Sequence, residues 1–259
     1  MRLGTVLACI GAVCLAGCHG SPSADVAAAE QAEQQTRPKL GLFTTLPIYW
    51  GEDGDIPSLL NGESDPDWVR TELERYFDLV LLDTLEADAL DGLDRVLLAQ
   101  PRPLAPSENV AFDNFLAGGG TAIIMADPMV TRHSEYAIGD RRRPQDVALL
   151  SPILSRLGAR LEYDEAQDEG DRMVTSGEIV IPVNQSGRFV STPSDVSPTG
   201  CAIEGEVALQ ARCKRGDGIA HLFADTAVLD WEGESNLVPA LQRDALRALL
   251  APLRPEGAR

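Results

Sequence analysis

From Lys39 onward, short apolar runs alternate with stretches in which apolar residues recur every three or four positions. That is the pattern of strands taking turns with amphipathic helices. Leu40 to Leu46, Asp78 to Leu82, Arg95 to Ala99, Thr121 to Met125 and Gly218 to Ala224 read as strands. Trp68, Val69, Leu73, Tyr76 and Phe77 mark one face of a helix opened by Asp65-Pro66, a capping residue followed by a first-turn proline. A helix over Pro106 to Ala117 turns Ala111, Phe112, Phe115 and Leu116 inward and stops at Gly118-Gly119-Gly120. Asp146 to Leu157 reads as another, with Val147, Leu150, Ile153, Leu154 and Leu157 inward and Gly158 where a C-terminal cap belongs. Leu237, Leu241, Ala245 and Leu249 predict a closing helix over Leu237 to Leu250.

Apolar strands that do not alternate, separated by helices, predict a parallel sheet covered on both faces. The expected fold is therefore a doubly wound, mainly parallel α/β domain over residues 39–253. Between about Arg160 and Lys214 the period changes, and Glu178 to Val183, Arg188 to Ser191 and Val207 to Arg212 predict an antiparallel excursion.

The first eighteen residues follow a different rule. Arg2 precedes the short apolar run Thr5 to Leu15, and Leu15-Ala16-Gly17-Cys18 places small residues before a cysteine. The run is too short to span a bilayer and has the flanks of an export signal. It resembles a bacterial lipoprotein signal, which implies cleavage after residue 17, acylation of Cys18 and a membrane anchor facing the periplasm; an ordinary secretory leader is the alternative. Residues 18–38, rich in Ala, Gln, Ser and Glu, read as a tether spanning on the order of 25 Å as a flexible coil.

Charge narrows the partners. Without residues 1–17 the chain carries 21 basic side chains against 40 acidic ones, a formal charge of −19. Nucleic acids and anionic surfaces are bound through clustered Lys and Arg, so nucleic acid is excluded. The run Arg141-Arg142-Arg143 lies between Asp140 and Asp146 and reads as a solvated loop or a docking spot for an acidic partner. Once the leader and the acylated thiol are set aside, Cys201 and Cys213 remain, and an even pair in an exported chain suggests a disulfide worth roughly 3 kcal/mol for a loop of this size. Reduced thiols, or a metal site with His221, are the alternatives.

Candidate chemistry lies beyond the carboxyl ends of the predicted strands, where open parallel sheets keep their working crevice. Asp83, Gln100, Asp127 and Asp225 stand there, with His133 in the loop after Asp127. The carboxylates suit a divalent ion or acid and base roles; equally, Asp127 before Pro128 and Asp225 before Thr226 suit turn capping. Tyr49, Trp50 and Glu52, directly after the first strand, suit recognition of a partner segment or a sugar, or else Trp50 packs on the helix near Trp68. A hydrolase on this scaffold needs a nucleophile on a sharp strand-to-helix turn. Gln100-Pro101-Arg102-Pro103 offers neither Cys nor Ser and reads as a rigid connection. No catalytic residue, metal or cofactor is predicted.

Arg95-Val-Leu-Leu-Ala-Gln-Pro101, Leu104-Ala-Pro-Ser-Glu-Asn-Val-Ala-Phe-Asp-Asn-Phe-Leu-Ala-Gly-Gly-Gly120, Ala122-Ile-Ile-Met-Ala-Asp-Pro128 and Gly218-Ile-Ala-His-Leu-Phe-Ala-Asp225 together resemble a known family. It is the uncharacterised ABC-transport-system domain shared with gliding-motility auxiliary proteins. The resemblance covers about Lys39 to Arg160 and Gly218 to Leu250. It implies a flavodoxin-like or class I glutamine amidotransferase-like fold without the catalytic cysteine, and a non-enzymatic envelope accessory that binds a protein partner such as an ABC permease. A carbohydrate-binding protein, or a metal-assisted hydrolase built on Asp83, Asp127, His133 and Asp225, is the competing expectation.

Overall fold

Seven strands pair in the order Asp78–Leu81, Lys39–Thr44, Arg95–Ala99, Thr121–Met125, Gly218–Phe223, Gln210–Arg215, Ala202–Glu204. The computed structural model describes residues 37–51, 66–195, 197, 200–205, 207–231 and 237–254. The leader, Cys18, the tether up to residue 36, Glu52 and the predicted cap Asp65 lie outside the described residues. The five strands β1 (Lys39–Thr44), β2 (Asp78–Leu81), β3 (Arg95–Ala99), β4 (Thr121–Met125) and β11 (Gly218–Phe223) run parallel. β10 (Gln210–Arg215) and β9 (Ala202–Glu204) add antiparallel strands at one edge. Val96 to Ala99 and Ala122 to Met125 are buried without alternation, as strands covered on both faces must be. The predicted mixed α/β class with a mostly parallel sheet is thus observed.

The excursion is antiparallel as expected: β5 (Ala159–Glu162) pairs with β8 (Arg188–Ser191), and β6 (Arg172–Ser176) with β7 (Ile179–Val183). Cys201 precedes β9 opposite Cys213 of β10, and the two form a disulfide with a Cα separation of 4.4 Å.

Helix α1 (Trp68–Leu73) starts on Asp67, whose carboxylate accepts from the Val69 N–H at 2.7 Å, and α2 (Ala87–Leu90) is a single turn. α3 (Pro106–Ala117) has proline in its first turn, buries Phe112 and Leu116, and ends at Gly118. α4 (Ser151–Leu157) ends on Gly158 at φ 89°, the left-handed cap that glycine adopts without a Cβ penalty. α5 (Ala240–Leu249) buries Ala245, Leu246 and Leu249.

Two buried carboxylates staple these elements. Asp113 of α3 takes Arg215 of β10 and Arg156 of α4, each at 2.6 Å, and Glu72 of α1 takes Arg247 of α5 at 2.6 Å. Among the described residues no helix is long and apolar enough to cross a membrane.

Some expected boundaries move for physical reasons. α4 starts five residues later than its periodicity predicts, because the backbone at Asp146 and Ala148 bonds sideways to Val130 and Asp127 and cannot close helical turns. Val147 is consequently exposed. β10 begins at Gln210 instead of Val207. Leu237 and Leu241 face solvent, since α5 starts only after Pro239 and docks through its Ala245 side.

Candidate functional site

The carboxyl ends of the parallel strands form one rim. The strand order reverses between β1 and β3, where open α/β sheets bind ligands. Here that crevice is plugged. Gln100, directly after β3, is fully buried with φ 43°. Its Oε1 accepts from the Asp127 N–H at 2.8 Å, and its Nε2 donates to the carbonyls of Asp127 (3.0 Å) and Gln145 (2.8 Å). Its own carbonyl accepts from Thr45 Oγ1, which in turn accepts from the Gln145 N–H at 3.0 Å. The loop after β4 is thereby pulled across the crevice and fastened there.

The connection from β3 to α3 runs through residues 101–105 without regular structure, and Gln100 at its start has a left-handed backbone. A nucleophile elbow passes straight from strand into helix; here the residue after the strand is a glutamine whose amide is spent on internal bonds. A non-glycine residue at positive φ costs on the order of 1–3 kcal/mol and persists only where its surroundings over-determine it. The four side-chain and main-chain partners of Gln100 do that.

Asp127 and Asp225 sit beside this plug, after the neighbouring strands β4 and β11, and both are buried. Asp127 accepts from the Met129 N–H (2.8 Å), the Thr226 N–H (3.0 Å) and the Thr226 hydroxyl (2.7 Å). Asp225 accepts from the N–H groups of Ala227 (2.6 Å) and Asn184 (2.9 Å). Both therefore cap and tie turns. Burial pushes the Asp127 carboxyl up to about 6, against the lowering effect of its hydrogen bonds. Burial, and then the neighbouring charge of Asp127, raise Asp225 well above the usual carboxylate range. Asp67 is likewise raised to about 6 by burial, with the Val69 N–H and then Arg132 opposing.

These shifts have a definite sign. A carboxyl whose folded pKa exceeds its unfolded value near 3.8 binds its proton more tightly when folded, so its contribution to stability falls as pH rises from about 4 to about 6 and is flat above. Carboxyl-carbon NMR of Asp127 is expected to show a titration midpoint near pH 6, and thermal unfolding a higher midpoint at pH 5 than at pH 7.5. A midpoint near 4 for Asp127 would contradict the burial argument.

The other predicted rim residues do not converge with this pair. Asp83 is exposed, and its carbonyl accepts from Arg102 at 2.9 Å. His133 is largely exposed, 3.7 Å from Glu135. Among the described residues no three His, Cys, Asp or Glu side chains are grouped to hold a metal ion. Tyr49 is half-buried under the Arg70 guanidinium (4.1 Å), and Trp50, 56% exposed, meets the Tyr49 ring edge-on at 4.7 Å. Trp50 therefore stands on the rim's surface instead of packing into α1.

Sequence reasoning missed a second depression at the end of β11, a cleft of about 450 Å³. Thr131, Asp171, Asn184, Asp230, Trp231 and Gln242 line it. Two carboxyls fix its walls: buried Asp225 holds the backbone of Asn184 and Ala227, and half-buried Asp230 meets Arg132 at 3.3 Å. Nothing in the local sequence marks it, because its lining comes from five separated segments.

Among solved structures, the chain is similar to exo-β-1,4-mannosidase Op5Man5 from Opitutaceae bacterium strain TAV5 (13% identity, TM-score 0.47), covering 89% of this chain and 38% of that one. It is also similar to a putative ThuA-like protein from Bacteroides uniformis (11% identity, TM-score 0.45, 83% and 93% covered) and to the mmIFT52 N-terminal domain (11% identity, TM-score 0.47, 86% and 100% covered). Likenesses this distant say nothing of activity, and the chain spans well under half of the mannosidase's length. No curated protein matches the chain. The family described as an ABC-type uncharacterized transport system matches residues 37–181, more than half of the chain, and the protein belongs to that family.

Proposed function

We propose that this protein is a non-catalytic accessory of an ABC-type transport system, anchored in the cell envelope through a lipid on Cys18, and that its rim recognises a protein partner such as the permease. Family membership supports the transport context. The leader sequence supports the anchor and the periplasmic orientation. The strand order β2-β1-β3-β4-β11 supports the flavodoxin-like or class I glutamine amidotransferase-like architecture. The observation that carries the non-catalytic reading is Gln100: directly after β3, where an acyl-transfer enzyme on this scaffold would need an exposed nucleophile, this chain buries an amide and bonds it inward.

Recognition then falls to exposed groups on the rim, of which the Tyr49–Trp50 ledge is the most prominent. Exposed aromatic residues carry a large share of binding energy at protein interfaces. A photocrosslinker placed beside Trp50 is expected to capture the permease, and Trp50→Ala to reduce capture several-fold. As a surface substitution it should change stability by no more than about 0.5 kcal/mol. Undiminished capture by Trp50→Ala would remove this ledge from the interface, and loss of acyl labelling failing to follow Cys18→Ser would remove the anchor.

A further inference from the structure

The cleft at the end of β11 is rich in hydrogen-bond acceptors. Gln242, 7% exposed, donates its amide N–H groups to the carbonyls of Val228 (3.2 Å) and Asp230, with Ala227 at 3.5 Å. That commitment fixes which way the amide faces, and it leaves Oε1 without a donor among the described residues. Asp171 adds carboxylate oxygens to the same lining, one of them accepting from Asn184 Nδ2 at 2.9 Å, and Asp230 adds a carboxylate already paired with Arg132. Pro182 and Pro239 stand in the wall and have no N–H to offer. Trp231 and Met173 contribute apolar surface between these groups.

A ligand for such a cleft must bring donors of its own and an apolar face. Anions are opposed by two carboxylates in a chain of net charge −18. Cations gain little, because Arg132 already meets Asp230 at 3.3 Å. What remains is a molecule dense in neutral hydroxyls with C–H surface, and a volume of about 450 Å³ lies within the usual range for ligand pockets. We propose that the cleft binds a neutral oligosaccharide, its hydroxyls donating to Gln242 Oε1 and the second oxygen of Asp171 while one sugar face lies on Trp231. This site is separate from the Trp50 ledge, with β3 and β4 between β1 and β11, so either proposal can fail alone.

The test applies the full-length chain in detergent to an array of neutral, sialylated and sulfated oligosaccharides, followed by calorimetric titration of the best-retained neutral one. A neutral oligosaccharide is expected to be retained in preference to the anionic ones. Asp171→Ala and Trp231→Ala are each expected to weaken it by about tenfold, the loss of one hydrogen bond to a charged group or one aromatic contact. Asp171 is exposed, so its variant folds whatever Trp231→Ala does. Retention of no neutral saccharide, preference for anionic ones, or undiminished binding by folded Asp171→Ala overturns the proposal.

Discussion

Glu108→Ala is expected to lower the unfolding free energy by about 4 kcal/mol, the range seen when one partner of a buried ion pair is removed. The Glu108 carboxylate is almost wholly enclosed and makes four bonds. Arg102 binds it in a fork at 2.7 and 2.8 Å, the Ala105 N–H reaches it at 2.7 Å and the Leu85 N–H at 3.0 Å. Alanine strands the buried Leu85 N–H at a cost of about 1–3 kcal/mol, while the N–H of exposed Ala105 can turn to water. Arg102 partly escapes to solvent, which keeps the loss from being larger. The same fork and backbone bonds hold the Glu108 carboxyl down at about 2, the Arg102 bond being the largest cause. Its contribution is therefore fully present above about pH 4.5 and is lost as pH falls through about 2, opposite in sign to Asp127. Urea unfolding at pH 7 checks the magnitude; a loss below about 1 kcal/mol would show that water reaches the site.

The consequence reaches the rim. Arg102 also donates to the Asp83 carbonyl at 2.9 Å and lies 5.0 Å over the Phe43 ring, so one carboxylate organises the ends of β1, β2 and β3. Glu108→Ala should loosen the Gln100 turn next to it, visible as faster hydrogen exchange at Gln100 and Asp127.

Much of the scaffold was legible because it depends on local pattern. β3, β4, β8 and α3 occupy the residues their sequence predicts, since each is a bounded apolar run or a periodic stretch with a proline start and a glycine stop. β5, β6 and β9 were not legible. Arg172 to Ser176 carries no apolar stripe and becomes a strand only because Ile179–Val183 folds back on it. The site was legible in position but not in state. Gln100, Asp127 and Asp225 stand at the strand ends as expected, yet whether such residues face a ligand or bond inward depends on Gln145, Asn184 and Thr226, which lie far off in sequence. The cleft beside Trp231 belongs to the same class, with Gln242 brought in from α5.

Gly218→Ala is expected to cost at least about 4 kcal/mol, or to prevent folding, because no flexible group stands in the way to yield. Gly218 opens β11, and a methyl group there would lie 2.1 Å from the Leu116 carbonyl oxygen and 2.3 Å from that of Gly120. Both obstacles are backbone. Leu116 is held in the last turn of α3, and the Gly120 carbonyl accepts from the Ile219 N–H at 3.2 Å as β4 and β11 begin to pair. To admit a Cβ, either the helix end must lift from the sheet or the β4–β11 register must open, and Leu116, Ala122 and Ala220 are buried on each side of that choice. The backbone angle is not the difficulty, which separates this position from Gly139. There φ is +89° and nothing lies within 4 Å of an added methyl group, so Gly139→Ala should cost only the left-handed penalty of roughly 1–2 kcal/mol. Thermal and urea unfolding of the two variants side by side isolates steric closure from conformational strain. Equal losses would mean that β11 can slide away from α3, and with it that Asp225 and the cleft it supports are less firmly placed than the close-packed start of the strand requires.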